Sequence, residues 1–223
     1  MRYIQKLETP QFFIDDTKDY IIWKDYDKTK QSRQKKRKLN KYILSKEQNY
    51  LCIYCESRIL SSSNSSHIEH IKPKHLDIDN LTFDYLNLAV SCEGKCHNEQ
   101  GDDKKYNCGH NKLNSYDENL FLNPILLEDI SDYFEYETFL ENNISKVRIK
   151  ESSKDASKAK YMLSILNLND ENTMITKKRH LELIKFENEV IEENLTNEEI
   201  KIWLQKENPP FISYLKSKYP ICS

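Results

Sequence analysis

Between Tyr50 and Lys112 the chain gathers five of its six cysteines and five of its six histidines. The stretch opens with Cys52-Ile53-Tyr54-Cys55 and passes through His67-Ile68-Glu69-His70-Ile71-Lys72-Pro73-Lys74. It reaches Asn87 ahead of Ser91-Cys92, and closes with Cys96-His97-Asn98 and Cys108-Gly109-His110-Asn111-Lys112. A Cys-x-x-Cys pair grips one side of a Zn2+ ion, and tetrahedral zinc then needs two more soft ligands from elsewhere. Cys92 is the natural third. Two candidates remain for the fourth: local spacing favours Cys96, whereas the Gly109-His110 and Lys112 that follow Cys108 favour Cys108. Such an ion would tie the two ends of the stretch together and help fold it. The plain alternative is a set of buried thiols; Cys222 is expected to stay unligated.

Glu69-His70 is the second constellation. A carboxylate can hold a hard divalent cation, and an imidazole with a pKa of about 6.5 can take a proton from water near neutral pH. Alone, the dipeptide would read as a bland surface pair. Lying between the two halves of a zinc site, it reads as chemistry.

These residues need elements to position them. His67 to Ile71 has strand composition stopped by Pro73, and Leu86 to Val90 fits a second short strand. A short helix is expected after Cys108. Lys28 to Lys41, which carries Arg33, Lys35, Lys36, Arg37 and Lys38, has no glycine or proline and is built of good helix formers. Such a helix can lie along phosphates or simply be a solvated surface helix. Ser45-Lys46-Glu47-Gln48 has the capping-box pattern that starts a helical turn. Asp132–Phe139, Asn142-Asn143 and Ile144 to Ile149 form a hairpin pattern. From Ser153 onward, apolar residues at helical spacing (Ala156, Ala159, Met162, Leu163, Leu166) predict packed helices, with Asn169 or Asp170 capping the next one. Thr196-Asn197-Glu198-Glu199 opens another, and Pro209-Pro210 breaks it. Met1 to Lys28 shows no clear period.

With 223 residues, 38% of them hydrophobic and only three glycines, the chain fits one globular unit and not a large sandwich or barrel, whose tight turns need glycine. A net charge of -2 and a pI of about 6.3 give no global field for nucleic acid, so any such binding must be local. No signal core or bilayer-length apolar run is present, which predicts no membrane partner and a cytoplasmic, reducing setting. There a Cys-x-x-Cys is a metal clip before it is a disulfide. A thioredoxin-like role would need a βαβ pattern, and none is visible. A Walker A phosphate loop is also missing.

Taken together, Cys-x-x-Cys, Glu-His-Ile-x-Pro, Asn-Leu ahead of a cysteine, and Cys-x-His-x-Lys resemble the HNH (ββα-metal) endonuclease motif with a zinc clip. More narrowly, Met1-Arg2-Tyr3-Ile4-Gln5-Lys6 with Pro10, Cys52-Ile53-Tyr54-Cys55-Glu56-Ser57 and Ser91-Cys92-Glu93-Gly94 resemble the PtuB-type HNH proteins of Septu and retron-associated anti-phage systems. The likeness is strong over the motif region, and the C-terminal half shares only the general layout.

The resemblance implies an α+β protein: a ββα-metal core with a four-cysteine zinc clip, an adjacent β-hairpin, and flanking N- and C-terminal helices. The expected segments are 1–49 (helical, basic run), 50–115 (nuclease core), 116–150 (hairpin) and 151–223 (helical), in one compact unit. It implies an endonuclease acting on DNA, with RNA as the other possible substrate, alongside a PtuA-type ATPase partner. The alternative is a non-catalytic, zinc-stabilised binding or adaptor protein. In the HNH reading, His70 matches the general base, Glu69 the acidic ligand of a catalytic Mg2+ or Mn2+, and Asn87 the asparagine that orients the loop and the base. The last metal ligand is His110 if the Cys108 segment ends the motif, with Lys112 as the lysine that follows; otherwise it is His97. His67, two residues before Glu69 on the same strand face, is expected to support the metal or touch phosphate. Lys35, Lys36, Arg37, Lys38, Lys72, Lys74 and Lys112 are the expected phosphate contacts.

Overall fold

A computed structural model describes residues 1–76, 81–94, 106–170 and 175–219. Cys96 and His97, the alternative zinc and metal ligands, lie outside these residues, as does Cys222.

Helix α1 (Gln11–Thr17) and a 3-10 turn at Trp23–Asp27 occupy the N-terminal region where no period is visible in sequence. The basic run forms helix α2 (Lys30–Lys46). Thr29 caps it: its hydroxyl accepts from the Ser32 amide, and the Ser32 hydroxyl accepts from the Thr29 amide. Ser32, Leu39, Asn40, Ile43 and Leu44 form its buried stripe at helical spacing, which leaves the cations on the other faces. Ser45, expected to open a new helical turn, lies instead in the last turn of α2. The apolar stripe carries the helix through, and the positive φ of Asn49 and Tyr50 ends the segment. Buried Gln48 then joins three parts. Its amide donates to the Leu51 and Val90 carbonyls, both at 2.8 Å, and its carbonyl accepts from Val90 N at 2.7 Å.

Strands β1 (Ser66–His70) and β2 (Leu88–Cys92) pair antiparallel, with His67 opposite Ser91 and Glu69 opposite Ala89. The sheet has two strands, so β1 keeps one edge without a strand partner among the described residues. Helix α3 (Gly109–Lys112) packs across its face and completes a ββα unit. A second hairpin, β3 (Phe134–Glu141) and β4 (Ile144–Glu151), turns through Asn142 and Asn143. Their φ values of 49° and 59° suit the tight two-residue turn that matches strand twist. Helices α4 (Ala156–Ile165), α5 (Ile175–Glu192), α6 (Asn197–Glu207) and α7 (Ile212–Lys218) follow. Asp155 caps α4, and the expected Thr196–Glu199 capping box opens α6. Among the described residues no helix is long and apolar enough to cross a membrane.

Candidate metal centre and nuclease site

The Cys52–Cys55 turn is a knuckle. Cys52 N donates to Ser57 O, Glu56 N donates to Cys52 O, and Glu56 takes the left-handed backbone conformation that closes the turn. Ile53 N bonds Val90 O, which docks the knuckle on β2. Cys92 ends that strand, and Cys108 sits just before α3, its amide bonded to Leu166 O at 2.8 Å. The four sulfurs of Cys52, Cys55, Cys92 and Cys108 all lie within 4.8 Å of one another. Those of Cys55 and Cys92 are 3.8 Å apart, the edge of a tetrahedron with Zn–S bonds of about 2.3 Å. All four are free thiols. Donor type, number and spacing therefore fit a structural zinc ion, with Cys108 as the fourth ligand. Burial first, and the crowding of the other three sulfurs second, push the Cys108 thiol well above its ordinary range, a cost that binding a divalent cation reverses. Cys108 also has φ 58° and ψ -138°, a conformation that side chains other than glycine adopt at a cost of roughly 1–3 kcal/mol. Arg179, 1% exposed on α5, contributes a buried positive charge that interacts with Cys55 and Cys108.

A second group lies beside the first, at the same end of the β1–β2 pair, where Glu93 directly follows Cys92 and His110 lies two residues after Cys108. Alternation along β1 points His67 and Glu69 toward α3; Glu93 follows β2, and His110 is on α3. Glu93 joins the two imidazoles: Oε1 is 3.2 Å from His67 Nδ1, and Oε2 is 3.0 Å from His110 Nε2. The three side chains offer ligand atoms within 4.8 Å of one another. His67 Nε2 is also 3.6 Å from Glu69 Oε2. Burial disfavours the charged form of His67, but its bonds to Glu69 and Glu93 outweigh this and lift its pKa to about 9. The same bond from His67, aided by His110, holds Glu93 down at about 2. Two imidazoles and a carboxylate suit a divalent transition ion, Mn2+ included, better than Mg2+, which prefers all-oxygen ligands.

Glu69 is 7% exposed and its position is tightly determined. Oε1 accepts from the Tyr54 hydroxyl at 3.1 Å and faces the Lys112 ammonium at 3.0 Å. Burial works against its charge, yet His67 and Lys112 keep its pKa below the usual carboxylate value. Lys112, expected among the phosphate contacts, is fully buried and bonds Glu69 and the His70 carbonyl. It holds the site and does not face solvent.

His70, next along the strand, points to the opposite face and does not join the three-ligand group. Its ring stands edge-on to Trp23 with centroids 4.4 Å apart. Its Nε2 is 3.0 Å from Thr82 O. A carbonyl only accepts, so Nε2 carries the proton and Nδ1 carries the lone pair. Burial, together with the charge of Lys74, lowers its pKa to about 4, so the ring is neutral at pH 7. Asn87 pins the neighbouring loop: its Oδ1 accepts from Lys72 N at 2.8 Å, and its Nδ2 donates to Lys72 O and Leu81 O. That fixes the segment beside the Thr82 carbonyl.

The other expected phosphate contacts are scattered. Lys35 pairs with Asp16, Lys36 with Asp27 and Lys72 with Glu118. Lys38 lies over the Phe12 ring and Lys74 beside Trp23. Arg37 is exposed, with no ion pair among the described residues.

Residues 52–103 match the family model for HNH endonuclease. This stretch is an HNH domain. The match ends before Cys108 and His110, which complete both ligand groups. A Vibrio cholerae (serotype O1 biovar El Tor) protein named "Retron Vc95 putative HNH endonuclease" is 28% identical over 159 residues, covering 69% of this chain and 70% of the relative. Glu93 is the site residue that sequence reading passes over. Its signal is positional: it lies two residues beyond Ser91, the cross-strand partner of His67, and so emerges only once the strand register is known.

Proposed function

We propose that the chain is a metal-dependent endonuclease that hydrolyses phosphodiester bonds in DNA. The observation that carries this reading is the convergence of His67, Glu93 and His110 beside the cysteine cluster of an HNH domain. His67, Glu93 and His110 would hold the catalytic cation, with Glu69 fixing His67 from behind. Such an ion, when bound, offsets charge on the phosphoryl and leaving oxygens.

The remaining work belongs to the side chains. His70, neutral and with its Nδ1 lone pair oriented by the Thr82 bond, takes the proton from the attacking water. A positioned base of this kind contributes about 10²- to 10⁴-fold. Glu69 and His70 face opposite sides of β1, so the scissile phosphate lies against the strand's open edge, where groups from both faces converge. Lys112 keeps Glu69 ionised, and Asn87 holds the loop that orients His70. The retron in the relative's name and the likeness to PtuB-type proteins support a place in anti-phage defence beside a partner ATPase.

The test is a plasmid nicking assay with Mn2+, Mg2+ or neither, on the wild type, His70→Ala and Glu93→Gln, with metal analysis of each. Cleavage that needs the cation and is lost in both variants at unchanged zinc content is expected. Equal activity in His70→Ala would refute the base assignment. A wild type that binds DNA without cutting it would favour the non-catalytic adaptor reading.

A further inference from the structure

The basic run on α2 does not present its charge evenly. Lys35 turns to Asp16 and Lys38 to Phe12, on faces away from β1. Arg33, Lys36 and Arg37, at positions i, i+3 and i+4, share another face and line a cavity of about 200 Å³. Its opposite wall is Ser66, His67 and Ile68 of β1, with Glu93 behind them and the Ser61–Ser63 hydroxyls at one end. The cavity thus runs along the open edge of β1 and reaches two members of the candidate metal group.

Its cations are partly occupied by an internal anion. Asp27 takes Lys36 Nζ at 2.9 Å, and its backbone carbonyl accepts from Arg33 Nη1 at 2.8 Å. The Asp27 side chain is half-exposed, at 51%.

We propose that this cleft is the path of a DNA strand: Arg33 and Arg37 take the phosphates flanking the scissile one, and Asp27 stands in for a phosphate on Lys36 until DNA arrives. The proposal rests on the nuclease reading for the position of the scissile bond, but its chemistry is independent of catalysis. Three cations on one wall and hydroxyls at one end match a polyanionic backbone. A carboxylate already seated on Lys36 marks where an anionic oxygen fits. No aromatic side chain is among the residues described as lining it, so it fits backbone contact more than base stacking.

The test uses the full-length, zinc-loaded chain. Binding of a fluorescein-labelled duplex is measured with Ca2+ across a salt series, and cleavage is measured separately with Mn2+. The double variant Arg33→Ala/Arg37→Ala should bind at least about tenfold more weakly. The slope of log affinity against log salt should fall by about 2, one for each phosphate contact removed. Lys35→Ala/Lys38→Ala, equal in charge change, should match the wild type. Asp27→Asn should bind several-fold more tightly. Arg33, Arg37, Lys38 and Asp27 are exposed and Lys35 is half-buried, and unfolding midpoints and zinc content should not change. Equal losses in the two double variants would overturn the cleft, since only the total charge would then matter. So would a wild type that binds no duplex, or an Asp27→Asn that binds less well. Tighter binding of an RNA of the same sequence would overturn the assignment to DNA. A wild type that binds through Arg33 and Arg37 without cutting would end the nuclease reading and leave the cleft. Wild-type cleavage and affinity in Arg33→Ala/Arg37→Ala would do the reverse.

Discussion

Gly109 offers a sharp perturbation of the metal centre. A Cβ at this position would lie 2.6 Å from Glu69 Oε2 and 2.7 Å from His67 Nε2. Ordinary contact begins at 3.4 Å, so something must move by about 0.8 Å. Glu69 cannot yield freely, because Tyr54 and Lys112 hold its other oxygen. His67 is tied through its second nitrogen to Glu93. If α3 moves outward instead, it carries His110 away from Glu93. Every route opens the ligand group. A misplacement near 1 Å costs about 10²-fold in rate, so Gly109→Ala should lower kcat/KM in Mn2+ by about two orders of magnitude and weaken Mn2+ binding. The fold should survive, because alanine is favoured over glycine in a helix by up to about 1 kcal/mol. The Gly109 amide bond to Ser91 Oγ is also kept. The assay is cleavage of a labelled duplex together with Mn2+ titration, after circular dichroism and zinc analysis match the wild type. Wild-type rate and Mn2+ affinity in Gly109→Ala would refute the close contact between α3 and the ligands.

Other outcomes follow from the same geometry. Cys108→Ser should release zinc and lower the unfolding midpoint of the domain, read by a zinc-sensitive dye during urea unfolding; full zinc retention would remove Cys108 from the cluster. Lys112→Met removes one of the two cations beside the buried Glu69 carboxylate and leaves it with His67 and the Tyr54 hydroxyl; it should cost about 3 kcal/mol in urea unfolding, and a loss below about 1 kcal/mol would mean that His67 and Tyr54 hold Glu69 without Lys112. In the metal-free protein His67 sheds its proton only near pH 9, so metal competes with that proton at neutral pH. Mn2+ affinity should therefore rise about tenfold per pH unit between pH 7 and 8.5, and a flat profile by calorimetry would exclude His67 as a ligand. His70 has its pKa lowered in the folded state to about 4, so it stabilises the fold fully above pH 6.5. That stability is lost as pH falls toward 4, by up to about 3 kcal/mol; His70→Gln should flatten this part of the stability curve.

How much of this was legible from sequence depends on whether the partners are local. The Cys52–Cys55 knuckle, the β1 and β2 strands, the Asn142–Asn143 turn and the Thr196 capping box involve neighbours along the chain, and their spacing carries them. The fourth zinc ligand does not. Cys96 and Cys108 stand at plausible distances from Cys92 in sequence, and contacts between residues far apart in the chain place α3 against the cluster: Cys108 with Leu166, Gly109 with Ser91, and Lys112 with Glu69 and His70. The metal group divides in the same way. His110 could be named from its motif. Glu93 required the β1–β2 register, and the buried state of Lys112 required the packing of α3. Ser45 misled because a capping pattern in sequence cannot show that the preceding helix already covers it.

The most direct test of the metal centre is anomalous diffraction at the manganese edge, on crystals of the zinc-loaded chain soaked in Mn2+. A peak bounded by His67, Glu93 and His110, separate from the zinc peak among the cysteines, is the expected result. A peak held by Glu69 without Glu93, or none at millimolar Mn2+, would contradict it.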